Sequence, residues 1–319
     1  MMKNTNFDQS LAAAITKASS KQTYYTIRFL ADRERVADAY RAYAYFRWVD
    51  DVLDAESGSE PVLSEGEASE RNVFVGRQMS LLERCYRGES APDATIEEQM
   101  LIELIRNDTE KSSGLQAYLR NMMAVMAFDT GRRGRLISQN ELNEYARLLA
   151  CAVTEAIHYF IGHSGFAPHD EARYLAVTAA HITHMLRDTF DDLQAGYYNI
   201  PREVLEANCI GPQDAHSDAY RAWVKSRVIL AREYFTAGKG YFARVQNPRA
   251  SLAGFAYIAR FEWLLDTIER EGYRLRPQYQ ERKSVGTGLR MVWLALSFMI
   301  NLRGAGSPFQ PGISQPLNK

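Results

Sequence analysis

His181 to Pro201 reads HITHMLRDTFDDLQAGYYNIP. Two histidines, Arg187 and the aspartates Asp188, Asp191 and Asp192 interrupt an otherwise apolar helical pattern. At about 100° per residue, His181, His184, Asp188 and Asp192 share a stripe roughly 80° wide. Arg187 and Asp191 flank that stripe. Carboxylates four residues apart lie one above the other on a helix face. Their repulsion calls for compensation, which a divalent metal or a bound cation supplies. Gly196 is predicted to end the helix, and Pro201 follows as a stop.

Arg47 to Asp54, RWVDDVLD, repeats the pattern, with Asp50 and Asp54 four apart. Tyr43, Arg47, Asp50 and Asp54 fall on one face about 60° wide. A single such pair reads as a solvated acidic face. Two copies, each with an arginine just ahead of the aspartates, predict two facing helices that hold metal ions between their carboxylates.

The rest of the chain is compatible with such a bundle. Its 319 residues, 46% of them hydrophobic, suit one large domain with an ample core. A net charge of −1 leaves no basic footprint for nucleic acid and no polybasic membrane patch. Cys85, Cys151 and Cys209 are odd in number and far apart, which argues against a disulfide framework or a zinc site and fits a reducing cytoplasm. The N-terminal apolar run is too short for a signal peptide, and no run reaches the ~18 residues of a membrane span. Strand and hairpin signals are poor, so the expected fold is all-α, with one domain over 1–303 and a disordered tail over 304–319.

In chain order, helices are expected at 8–18, from Asp32 as N-cap to about residue 55, and at 70–88, 94–108, 112–128 and 139–162. Further helices are expected from Pro168–His169 into the second acidic motif, then at 202–207, 214–243, 249–272 and 284–302. Ser20 and Lys21 lie in a polar break that reads either as a turn or as a phosphate contact. Residues 55–70, AESGSEPVLSEGEASE, form an acidic loop directly after the first motif, compatible with a lid or with plain surface. Asp129 to Arg135, DTGRRGR, reads as a tight basic turn, solvated or in contact with diphosphate. Glu155 and His158 are polar in an apolar run and suit either a hydrogen-bonded core or a site wall. Tyr40, Tyr43 and Tyr45 are core by helical spacing, yet aromatic faces also stabilise carbocations.

Mg²⁺ favours carboxylates plus substrate phosphate oxygens and keeps several waters. Two acidic helices would leave its open positions to a diphosphate, with the neighbouring arginines adding bidentate contacts. The chemistry such a site predicts is departure of diphosphate, with the resulting cation held in a dry, aromatic-lined cavity between helices.

At this point the chain resembles the squalene/phytoene synthase family of head-to-head trans-isoprenyl diphosphate synthases. The resemblance is carried by YRAYAYFRWVDDVLD (40–54), LRDTFDDLQAGYYNIP (186–201), the Tyr145 helix and the segment from Ile268 to Tyr273. It implies an all-α isoprenoid synthase bundle with a central cavity. It implies condensation of two identical prenyl diphosphates, farnesyl or geranylgeranyl, through a cyclopropyl diphosphate to a C30 or C40 hydrocarbon. Carried over, Asp50, Asp54, Asp188 and Asp192 would hold Mg²⁺. Tyr43, Arg47, Arg187, Ser20 and Lys21 would bind substrate, and Tyr145 would line the site beside the rearranging cation. His181 and His184 stand where the family has Gln and Asn; neutral histidine can contact metal or diphosphate, or act as acid or base. The family's Gly-Arg-x-Tyr-x-Pro ending is Gly196 to Pro201 without the Arg and Tyr, and its small-residue run near Tyr145 is Ala150 to Thr154. These departures keep open an enzyme that ionises a single prenyl diphosphate and quenches or cyclises it, and a family-like protein without catalysis. NADPH use is left open, and the sequence carries no Rossmann-type glycine fingerprint. A hydrocarbon product is compatible with peripheral membrane contact. The oligomeric state is not read.

Overall fold

The computed structural model describes residues 2–55, 65–163 and 165–279. Most of the acidic loop, the helix expected at 284–302 and the tail expected over 304–319 lie outside these residues.

The chain forms α1 (Met2–Ser19), α2 (Lys21–Leu30), α3 (Val36–Ala55), α4 (Glu65–Tyr86), α5 (Ile96–Arg106), α6 (Gly114–Arg132) and α7 (Gln139–Phe160). It continues as α8 (Leu175–Arg187), α9 (Thr189–Gln194), α10 (Arg202–Asn208), α11 (Asp218–Arg244) and α12 (Pro248–Arg270). Single 3₁₀ turns, Arg33–Arg35 and Glu171–Tyr174, precede α3 and α8. Among the described residues there is no strand, as expected.

The helix starts follow from local chemistry. Ser20, Ser113, Ser138 and Ser217 each accept a hydrogen bond from an otherwise orphaned first-turn N–H. Thr95 with Glu98, and Ser138 with Glu141, close reciprocal capping boxes. Asn247 caps α12 ahead of Pro248, whose missing N–H costs nothing at that position. Gly196 lies at φ 83°, where a side chain would be strained, and so ends the second acidic motif as expected.

α6 packs on α7, α7 on α8, α8 on α11 and α11 on α12, while α1 and α5 cover α3. One continuous core runs through these helices. Leu104, Leu119, Phe235 and Leu265 are fully buried in it, each worth about 1.5–3 kcal/mol of transfer free energy. α8 and α11 come close at Gly238: a Cβ there would lie 2.7 Å from the Ala176 Cβ and 3.0 Å from its Cα. Only glycine permits that approach.

Several local expectations are corrected. Asp32 does not cap with its side chain. Its carboxylate instead accepts the Gly162 and His163 N–H groups and pairs with Arg249, tying the start of α3 to α7 and α12. Glu65 to Glu70 are the first turns of α4 rather than loop, since glutamate is a good helix former. Asp129 to Arg132 are not a turn but the last turn of α6. The entry to α8 is the 3₁₀ turn capped by Asp170, not a helix begun at Pro168. The second acidic motif is not one helix: α8 ends and α9 begins at Asp188, whose φ of −94° and ψ of 7° leave the helical region. Backbone bonds run into and out of that residue, from Asp188 N to His184 O (2.9 Å) and from Asp192 N to Asp188 O (2.8 Å).

Candidate active site

α3 carries the first acidic motif. Arg47 donates to Asp50 at 3.0 Å and to Asp51, so it is held beside the carboxylate it precedes. Asp54 is exposed and Tyr43 half-buried. Burial and the nearby Asp54 charge raise the Asp50 carboxyl to about 6, against the lowering influence of Arg47.

The second motif sits at the α8–α9 break. Arg187 grips Asp188 bidentately, with both N–O distances 2.5 Å. Asp192 is raised further, to about 7, first by burial and then by Asp188. Arg132 and the Asn199 amide, which donates to Asp192 at 2.6 Å, hold it down only in part.

Asp129 lies at the end of α6, and its charge adds the smallest of the upward pushes on Asp50 and Asp192. It accepts from the Tyr145 hydroxyl at 2.9 Å and from Arg132 Nε at 2.6 Å. Arg132 is buried, donates to Asn199 Oδ1 at 2.8 Å, and lies 4.9 Å over the rings of both Tyr145 and Tyr197. Arg133 donates to Ala195 O and Gly134 N to Gly196 O, zipping the end of α6 to the end of α9. The sequence suggests a basic turn for Asp129 and Arg132, solvated or on diphosphate, and gives Asn199 no separate role. The signal for a helix was present: GLQAYLRNMMAVMAFDTGR continues a helical period through Arg132 and puts Asp129 and Arg132 on one face.

Tyr145 is buried on α7 with its hydroxyl on Asp129. Its ring packs against Phe128 (5.1 Å) and His181 (5.0 Å), and burial raises its hydroxyl far above the ordinary range, so it stays protonated. Burial first, then Arg132 and Arg227, lowers His181 to about 3, which makes it a neutral imidazole. His184 turns elsewhere, edge-on to Phe261 of α12 at 4.7 Å. The two histidines thus serve different helix contacts rather than one stripe. Ser20 caps α2 and shares a 2.9 Å hydrogen bond with Thr23, while Lys21 is exposed. No hydrogen bond or ion pair among the described residues links either to the aspartates. Glu155 and His158 belong to a buried network. Arg173 grips Glu155 at 2.7 and 2.8 Å and donates to the Tyr241 hydroxyl, which meets His158 at 2.7 Å.

Among the described residues, no three His, Cys, Asp or Glu side chains converge as a ready-made metal cage. The donor set nevertheless suits a hard divalent cation. Two carboxyls are raised first by burial and then by neighbouring carboxylates, which the arginines only partly offset, and Mg²⁺ is ordinarily held by one or two carboxylates plus substrate oxygens.

The described chain is thus an all-α bundle that carries two acidic motifs, the second linked through Asn199, Arg132 and Asp129 to the Tyr145 ring. The model of the squalene/phytoene synthase family matches residues 16–287, and the chain belongs to that family and so to the prenyltransferases. It is 26% identical over 256 residues to the phytoene synthase of Thermus thermophilus, covering 79% of this chain and 80% of that protein. It is 28% identical over 139 residues to the 15-cis-phytoene synthase of Synechocystis, covering 42% of this chain and 40% of that protein. Squalene synthase HpnC from Alicyclobacillus acidocaldarius shares the fold with TM-score 0.65 at 19% identity, over 85% of this chain and 97% of that one. A dehydrosqualene synthase in complex with ligand does so with TM-score 0.66 at 16% identity, over 94% and 98%.

Proposed function

We propose that this chain joins two identical prenyl diphosphates, farnesyl or geranylgeranyl, head to head through a cyclopropyl diphosphate to a C30 or C40 isoprenoid. Family membership supports the reaction type, and the observation that supports the site is the hydrogen-bonded chain from Tyr145 through Asp129, Arg132 and Asn199 to Asp192.

Asp50, Asp54, Asp188 and Asp192 would hold Mg²⁺, with Asp129 and Asn199 fixing their arrangement. Bound there, Mg²⁺ would neutralise charge developing on the diphosphate oxygens. Arg47 and Arg187 are already aligned by the aspartates and can turn their forks to substrate phosphate. Tyr145, kept protonated by burial and fixed through its hydroxyl, presents its ring to an allylic cation. His181, neutral and buried behind that ring, adds no positive charge beside the cation and excludes water. α2 exposes Tyr25 and Phe29 beside Lys21 and Arg28, which supports peripheral membrane contact. No helix among the described residues is long and apolar enough to cross a membrane.

Asp50→Asn and Asp188→Asn test the site. Each is expected to lower diphosphate release at least ~10²-fold, the scale set by losing one preorganised electrostatic group, while helicity is kept. Near-normal release by either variant would remove the two-motif site.

A further inference from the structure

A cavity of about 530 Å³ lies between α7, α8 and α11, within the size range of small-molecule sites. It is not the aspartate site. Asn143 and Arg147 at its α7 edge are exposed, whereas Tyr145 between them turns the other way, to Asp129. The cavity therefore backs onto the acidic site across the Tyr145–His181 ring contact.

Its lining has two characters. Leu142, Ala150, Leu175, Ile182, Met185 and Leu230 give it an apolar length. Against them stand Arg227 and His181. No carboxylate pairs with Arg227 among the described residues, although its guanidinium is only partly exposed. His181 is 7% exposed, and its Nε2 is buried without a hydrogen-bond partner. A buried polar atom left unmatched is costly, and so is a desolvated cation without a counter-ion. An acceptor anion taking a charge-assisted hydrogen bond from Arg227 supplies that counter-ion, while His181, its Nε2 turned away from accessible space, stays in the wall beside it.

We propose that this cavity binds an amphipathic anion, a hydrocarbon chain with one carboxylate or phosphate head, the head on Arg227 and the chain along the leucines. The head can come from an acyl or a prenyl molecule. The inference does not depend on the proposed reaction, and its test needs no turnover.

Cys151 lines the same cavity and is partly buried, while Cys209 is exposed on the surface. The full chain is alkylated with iodoacetamide in EDTA, and both cysteines are followed by peptide mass spectrometry. Dodecanoate and farnesyl monophosphate are the two probes, with dodecanol as a neutral control. At least one anion is expected to slow Cys151 labelling roughly tenfold, an occupancy of about 90%, with Cys209 unchanged and dodecanol without effect. Protection by dodecanoate alone would point to an acyl source, and by farnesyl monophosphate alone to a prenyl source. Arg227→Gln is expected to abolish the protection at unchanged helicity, and Arg227→Lys to keep part of it. No protection by either anion, equal protection by dodecanol, or full protection in a folded Arg227→Gln protein would overturn the proposal.

Discussion

Replacing Arg132 by methionine removes the one charge that meets Asp129, Asn199, Tyr145 and Tyr197 together. The Arg132 side chain is 8% exposed and Asp129 26%, so the pair is mostly desolvated. Removing one partner of a buried ion pair costs about 3–5 kcal/mol, because the other charge stays behind unpaired. The partial exposure of Asp129 sets the expectation at the lower end, and the two cation–π contacts add about 0.5–1 kcal/mol each. The expected loss is therefore ~4 kcal/mol, read by urea unfolding of the metal-free protein with far-ultraviolet circular dichroism. A second readout separates this role from simple packing. Arg132 holds the Asp192 carboxyl down, so its loss raises that carboxyl further and moves the onset of Mg²⁺ binding to higher pH. Arg132→Lys keeps the charge and loses the fork, and should fall between the two. A loss under ~1 kcal/mol in Arg132→Met, or an unmoved Mg²⁺ onset, would refute the central place given to this residue.

Two further expectations concern charge. Asp192 is raised from 3.8 to about 7, so the metal-free fold holds its proton more tightly than the unfolded chain does. The associated stability is full below about pH 4 and is lost as pH rises through about 7, on the order of 2 kcal/mol once water screening is allowed for. Asp50, raised to about 6 with its side chain 43% exposed, acts in the same direction more weakly. Mg²⁺ must displace these protons, so calorimetry in buffers of differing ionisation heat should show proton release on binding at pH 6.5 and little at pH 8.5; equal release at both would contradict the shifts. Glu155→Ala strands Arg173, whose side chain is 4% exposed, and should cost about 3–5 kcal/mol in thermal or urea unfolding. A change under ~1 kcal/mol would mean that the Glu155 network is not structural.

Much of this was legible in the chain because it is written locally. The helical period and the four-residue spacing of both DxxxD pairs need only neighbours within a turn or two, whereas the one cap expected, Asp32, gave way to the distant Gly162, His163 and Arg249. What escaped depends on contacts distant in sequence. Arg132 looked like one of three arginines in a basic turn because its acceptor Asn199 is 67 residues away. The break at Asp188 left no glycine or proline to announce it, so one continuous helix was the natural reading. That break changes how Asp188 and Asp192 are presented without separating them. His181 and His184 looked equivalent on a helical wheel, yet α7 claims one and α12 the other. Glu155 and His158 could not be told from a site wall until Arg173 and Tyr241 were found beside them.

The most direct measurement incubates purified protein with farnesyl diphosphate and, separately, geranylgeranyl diphosphate, each with Mg²⁺ and with or without NADPH. Released diphosphate is assayed and extracted products are identified by mass spectrometry. The account predicts a C30 or C40 product, two diphosphates released for each molecule formed, and no turnover in EDTA. Release accompanied only by C15 or C20 products, or turnover that persists in EDTA, would contradict it.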